Sequence, residues 1–139
     1  MGARHLNERI DGSIYFRWAE ATKSGSRIPA NEQIARNIIA LAAELDELRA
    51  YLDVPLIITS WYRPPAVNRA VGGVSNSTHL SGHAADFRPA PGVDIHEAQR
   101  RTDGFWNSRG GVGFGAAKGF VHVDLRNRLE GRGAPRWDY

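Results

Sequence analysis

Residues 31–60 read NEQIARNIIALAAELDELRAYLDVPLIITS, and two hydrophobic rhythms meet inside this stretch. From Asn31 onward, Ile34, Ile38, Leu41, Leu45, Leu48 and Leu52 recur at alternating steps of four and three, which places them on one face of an α-helix. Asn31 follows Pro29 closely and is positioned to cap that helix, with Glu32 in the first turn, where the helix dipole favours an anion. The helix is therefore expected to start near Glu32. Val54–Ser60, VPLIITS, is short and β-branched, the composition of a buried strand, expected at the centre of a sheet.

Downstream, Pro64 and Pro65 are suited to open a helix, because the first turn needs no N–H from them, and Gly72-Gly73 is suited to close it, predicting a short helix over Pro65–Val71. Ser75–Gly82, SNSTHLSG, is dense in turn formers, and Ala84–Phe87 then reads as a strand that ends at Arg88-Pro89. Asp94 caps a helix expected to run through Phe105. Glycines 110, 111, 113, 115 and 119 are expected to break the following stretch into turns and short strands, before Phe120–Leu125 alternates as a strand. Beyond it the C-terminal tail contains Pro, Gly and Arg. The order of elements is that of an α+β protein: one domain over residues 1–139, with a small, mainly antiparallel sheet flanked by helices and about 30 N-terminal residues packed on it.

A chain of 139 residues holds one hydrophobic core comfortably, and 42% apolar with 24% charged residues is ordinary for a globular protein. The absence of cysteine excludes disulfides, thiolate zinc sites and cysteine nucleophiles, so metal ligands must come from His, Asp and Glu. A net charge of +3 favours anionic partners, yet the basic residues are scattered and only Arg100 and Arg101 adjoin, so no nucleic-acid partner is expected. No segment is long and apolar enough for a membrane span, and Met1–Ile10 is polar, without the apolar run of a signal peptide.

The chemistry concentrates in His79, Asp86 and His122, which fall on or beside the two strand-like segments that follow the turn-rich stretch. A catalytic zinc takes three protein ligands and keeps a fourth position for water, and two imidazoles with one carboxylate meet that need. Singly, none is distinctive: a histidine in a Gly/Ser loop is more often a surface or capping residue, and spacing alone does not establish that the three converge.

The wider pattern is more specific. SWYRPPAVNRAVGG at 60–73, SNSTHLSGHAADF at 75–87 and GFVHVDL at 119–125 resemble the zinc D-Ala-D-Ala carboxypeptidases, including VanY-like enzymes, a family that shares its fold with sonic hedgehog. YFRWAEAT at 15–22 and the long amphipathic helix extend the likeness over nearly the whole chain. The core S-x-H-x-x-G-x-A-x-D is here Ser77, His79, Gly82, Ala84 and Asp86, and within this motif the small residues Gly82 and Ala84 would let the loop backbone pass close to the metal and pack a tight strand.

The resemblance implies that His79, Asp86 and His122 hold one Zn2+ per chain. It implies that Arg63 binds a substrate carbonyl or carboxylate near the scissile bond, a task suited to a guanidinium fork. By the same likeness Ser77 helps hold a terminal carboxylate, although a serine there reads equally as a turn cap. Asp124, two residues after His122 on the same strand face, belongs with Arg63 to the catalytic set, either bonding a ligand imidazole or orienting substrate. The pattern departs from many relatives where they carry Glu, Asp or His shortly before the last ligand, since Gly119 and Phe120 stand here. That leaves His83, Asp124 or another nearby residue as the water-activating base. His83 is read as exposed or lining the cleft. Of Trp61, Tyr62 and Trp137, only one is expected to wall a peptide groove, aromatic residues beside strands being more often core.

The activity so implied is hydrolysis of a peptide bond in bacterial peptidoglycan, by a carboxypeptidase or an endopeptidase that uses a zinc-activated water, with Arg63 stabilising charge on the carbonyl oxygen. The partner is the peptidoglycan stem peptide, the protein is expected to be a monomer, and it acts on the wall in the periplasm or outside the cell. Without a signal peptide in this sequence, that location implies release of the phage-lysin type or a domain excised from a longer protein. The alternative is a catalytically inactive zinc-containing binding module, like the hedgehog branch of the fold.

Overall fold

A computed structural model describes residues 6–139. The part of the Met1–Ile10 reading that concerns residues 1–5 lies outside the described residues. The chain clusters into two compact units, one running to Asp46 and including Ser60–Ala84, the other made of Glu47–Thr59 and Ala85–Tyr139.

The first unit begins with a turn-rich segment and a single helical turn, α1 (Trp18–Ala21), followed by the start of the long helix α2 (Glu32–Leu52). Asn31 caps α2 as its sequence requires: its Oδ1 accepts from the Ile34 N–H at 2.9 Å. The apolar stripe faces inward, with Ile38, Leu41 and Leu45 fully buried in this unit. The N-terminal segment is tied to α2 by one carboxylate: Asp46 accepts from the Ser13 hydroxyl at 3.0 Å and from the Ile14 and Tyr15 N–H groups at 2.9 and 3.2 Å. Ile10, Phe16 and Trp18 are buried beside it, and Phe16 meets Trp61 edge-on with ring centroids 6.0 Å apart. A side chain of this size contributes roughly 1.5–3 kcal/mol when fully buried, so these few residues anchor the segment. The unit also contains α3 (Pro65–Ala70), which Pro64 and Pro65 open, and a 3-10 turn at Thr78–Ser81.

The second unit is built on a five-stranded sheet with the order β1 (Leu56–Ser60), β2 (Ala84–Pro89), β4 (Val121–Asp124), β3 (Val112–Phe114) and β5 (Arg136–Asp138). The Ala90 N–H bonds the Pro55 carbonyl at 2.9 Å and the Thr59 hydroxyl bonds the Asp86 carbonyl at 3.2 Å, a register that runs β1 and β2 in opposite directions. β3 and β4 are antiparallel, with Gly113 opposite His122, whereas β3 and β5 are parallel, with Gly113 opposite Trp137. Helix α4 (Ile95–Trp106) is capped by Asp94, whose Oδ2 accepts from Glu97 N–H at 3.1 Å, and α5 (Arg126–Glu130) follows β4. The fold is α+β, as expected. Among the described residues no helix is long and apolar enough to cross a membrane.

One expectation needs correction. β1 is an edge strand, not a central one: only Leu56 is buried and the next four residues are half-covered. The glycine-rich stretch forms turns and a short strand, as expected: Gly113 lies inside β3, and the ring of Trp137 rests where a side chain on Gly111 or Gly113 would project. The tail is ordered as α5 and β5, because Trp137 and the pairing with β3 hold it against the sheet.

Candidate metal centre

His79 sits in the 3-10 turn that Ser77 opens, and the Ser77 hydroxyl accepts from His79 N–H at 3.3 Å. Gly82 ends the turn in a left-handed conformation, φ +83°, and a methyl there would lie 2.9 Å from the Ile34 carbonyl oxygen and 3.1 Å from Ile38. The requirement for glycine thus comes from contact with α2. The Gly82 carbonyl accepts from Trp61 Nε1 at 2.9 Å, which locks the turn to the end of β1. His79 Nδ1 lies 2.6 Å from the Trp61 carbonyl. A carbonyl only accepts, so Nδ1 carries the proton and Nε2 carries the lone pair, the state needed for a metal ligand.

Asp86 on β2 and His122 on β4 meet in the sheet, with His122 Nδ1 3.0 Å from Asp86 Oδ1. The other ring nitrogen of His122, Nε2, is 2.8 Å from Asp124 Oδ2. Asp124 is wholly buried and its oxygens also accept from Gly111 N–H at 2.9 Å, Arg126 N–H at 3.0 Å and the Arg126 guanidinium at 2.8–3.0 Å. Burial opposes ionisation of Asp124, but the bonds from His122 and Arg126 prevail and hold its carboxyl well below the usual carboxylate range. For His122 burial disfavours the charged ring, yet Asp124 and Asp86 outweigh it and raise the imidazole pKa. An ionised Asp124 accepts a hydrogen bond from His122 Nε2–H, so in the neutral ring the Nδ1 lone pair faces the Asp86 carboxylate. Two acceptors 3.0 Å apart need a cation between them, a proton or a metal.

The three residues proposed from sequence are brought together: His79, Asp86 and His122, all buried, each offer one ligand atom, and these atoms lie within 4.8 Å of one another. Two nitrogens and a carboxylate oxygen form a donor set suited to zinc rather than to calcium or magnesium, which take oxygen cages.

Arg63 follows β1, and its backbone N–H bonds the His79 carbonyl at 3.1 Å. Its guanidinium is oriented by Ser60 Oγ at 3.3 Å and Asn68 Oδ1 at 3.2 Å. His83, read as exposed or lining the cleft, is fully buried, which removes the first of those alternatives. The Trp61 and Tyr62 side chains are core, whereas the Trp137 ring centroid lies 5.1 Å from that of His122.

Sequence reasoning missed Arg126 and the support that the tail gives. Arg126 binds Asp124 and also lies 5.0 Å over the Trp137 ring, closing a circuit His122, Asp124, Arg126, Trp137. A clue was present in the spacing of Asp124 and Arg126, two residues apart beyond a ligand strand, and in a tryptophan placed near the chain's end. The glycines 111, 113 and 115 were a second clue: a methyl on them would meet Trp137 at 2.7 Å, Tyr139 at 2.6 Å and Phe120 at 2.7 Å respectively.

The chain belongs to the Peptidase M15 family, whose pattern it matches over residues 13–124, a group of VanY-like zinc D-Ala-D-Ala carboxypeptidases. No curated protein matches the chain. The match ends at Asp124, so Arg126 and Trp137 lie beyond it.

Proposed function

We propose that the protein is a zinc peptidase that hydrolyses a peptide bond of bacterial peptidoglycan, at a D-Ala-D-Ala terminus or within the stem or crosslink. The observation that carries this reading is the pair of acceptors His122 Nδ1 and Asp86 Oδ1, 3.0 Å apart, with a ligand atom of His79 inside the same 4.8 Å cluster. Membership of a peptidase family supports the hydrolytic class, and its match across residues 13–124 runs through both compact units, which supports one peptidase domain over 1–139.

One zinc per chain would be held by His79, Asp86 and His122, and when bound it supplies a Lewis acid that polarises a carbonyl and acidifies water. The protein's own groups supply the rest. The Trp61 carbonyl and Asp124 hold the two imidazoles in their ligating tautomers, so Asp124 is a positioning residue. Arg63, braced by Ser60 and Asn68, donates to the substrate oxygen on which charge develops. Ser77 lies close enough in sequence to bind the same substrate end, although its hydroxyl also caps the His79 turn. The protein works as a monomer on the stem peptide of the wall, in the periplasm or outside the cell.

A second reading, a zinc-holding binding module without catalysis, draws on Gly119 and Phe120. They stand where many relatives carry a base, and the Phe120 ring is engaged edge-on with Tyr139 at 4.8 Å.

The test is incubation of the zinc-loaded protein with purified peptidoglycan and defined muropeptides, with and without a chelator, products being followed by mass spectrometry. Chelator-sensitive release of D-Ala establishes a carboxypeptidase, and chelator-sensitive cleavage in the stem or crosslink an endopeptidase. Intact substrates with zinc bound favour the binding module. Folded His79→Ala and Asp86→Ala variants that hold zinc as tightly as the parent would sink the metal assignment.

A further inference from the structure

We propose that Arg27 is a second carboxylate-binding residue, forming with Arg63 a two-guanidinium clamp for a carboxylate of the substrate. The proposal rests on the peptidase reading for the identity of the ligand, and it narrows that reading to peptides that present a free carboxylate.

Arg27 lies in the loop before α2 and Arg63 just after β1, and both turn to the same atom. Arg27 Nη1 donates to Ser60 Oγ at 3.2 Å, with a longer contact to the Tyr62 carbonyl at 3.5 Å, and Arg63 Nε donates to that same Ser60 Oγ at 3.3 Å. Two cations thus converge on one neutral hydroxyl, and among the described residues Arg27 pairs with no acidic side chain. Like charges at this range repel, more so where water is partly excluded, and burial together with the charge of Arg63 already disfavours the Arg27 cation. A structural brace for Ser60 would need only one of them, and either a Gln or a Lys would serve. A carboxylate offers two oxygens, each able to accept from one guanidinium fork, and it supplies the negative charge that Arg27 does not find in any acidic side chain among the described residues.

The location suits a substrate end. The Arg63 backbone N–H bonds the carbonyl of His79, so the pair flanks the turn that presents a proposed ligand. Arg63 is held from its other side by Asn68 Oδ1 at 3.2 Å, and a methyl on Gly73 would fall 2.1 Å from that oxygen and 3.0 Å from Arg63 Nη1. Arg27 and Arg63 are both half-buried, neither enclosed in the core nor loose on the surface. The carboxylate that fits is the free terminal one of a D-Ala-D-Ala peptide or a side-chain carboxylate of the stem, and the two sources are separable by experiment.

Calorimetry on the full chain, metal-free and zinc-loaded, measures binding of three tripeptides: D-Ala-D-Ala-terminated with a free carboxylate, the same peptide amidated, and an amidated peptide bearing a side-chain carboxylate. The parent protein is expected to bind one of the two charged peptides about tenfold or more tightly than the neutral one, the value of a charge-assisted bond. Arg27→Gln is expected to erase that preference while leaving the affinity for the neutral peptide unchanged, and Arg27→Lys to keep part of it. The clamp is overturned if the parent does not distinguish charged from neutral peptides, or if folded Arg27→Gln weakens all three alike. Cleavage of the same peptides separates the two ideas: selective binding without any cleavage refutes the peptidase reading and leaves the clamp standing, whereas cleavage without selectivity refutes the clamp alone.

Discussion

Asp124 Oδ2 stands 2.8 Å from His122 Nε2, and the carboxylate that makes this contact is fully buried. It also takes the Arg126 guanidinium and two backbone N–H groups, so its two oxygens are committed on several sides. Asp124 therefore sets the proton on His122, and through it the nitrogen that faces Asp86.

Asp124→Asn keeps the shape but removes the charge that Arg126 and His122 share. Deleting one partner of a buried ion pair costs roughly 3–5 kcal/mol, reduced here to about 2–3 because Arg126 is partly solvated. Zinc affinity is expected to fall about 10–100-fold, as for other residues that orient a ligand imidazole. Thermal melts and chelator competition read the two effects, and an unchanged zinc affinity would remove Asp124 from the site's support.

Zinc binding is expected to strengthen with pH beyond the ordinary imidazole range. The pKa of His122 is raised in the folded, metal-free protein, so its proton stabilises that state fully below the unfolded value of about 6.5 and ceases to as pH rises through the folded value. A metal must displace that proton, so affinity gains up to about one log unit per pH unit until the raised pKa is passed. Metal-free stability should decline over the same window. An affinity that is flat above pH 6.5 contradicts the assignment.

Gly111→Ala tests the aromatic cover of the centre. The new methyl would lie 2.7 Å from Trp137 and 2.8 Å from Asp124 Oδ2, and the carboxylate is too firmly bonded to yield. Overpacking of this kind costs about 1–3 kcal/mol, and the loss should be shared between stability and zinc affinity. Trp137→Ala in the same background should recover part of it, because the ring is one of the two obstacles.

Ser77→Ala separates the two roles read for that serine. As the cap of the His79 turn it is worth about 1 kcal/mol of stability. A rise in KM well beyond what loss of that cap explains, with kcat kept, would place the hydroxyl on substrate; a change in melting temperature alone would leave it a cap.

Much of this was legible in the sequence because local rules sufficed. The stripe Ile38, Leu41, Leu45 is buried, Asn31 and Asp94 cap as their types dictate, and the Pro64-Pro65 pair opens α3. His79, Asp86 and His122 were named from the resemblance, and their convergence required the sheet. What the sequence did not reveal depends on partners far along the chain. VPLIITS has the composition of a central strand, but its place at the edge is decided by which strands find β2. Glycines 111 and 113 read as breakers because their function is to leave room for Trp137, some 25 residues later, and no local rule counts an absent side chain as a contact. The fully buried position of His83 likewise follows from tertiary enclosure of a loop whose composition is that of a surface turn.

The parallel pairing of β3 with β5 sets an order of assembly. A parallel partner must first return along the sheet, and the return path, residues 115–135, contains β4 and α5. The antiparallel β3 and β4 are joined by a short loop and form by local closure, whereas β5 adds only after the whole excursion has been laid down, a slower, non-local step. The strand bearing His122 is thus built before the strand bearing its tryptophan cover. Enclosure of His122 by its tryptophan is therefore a late event in the maturation of this protein.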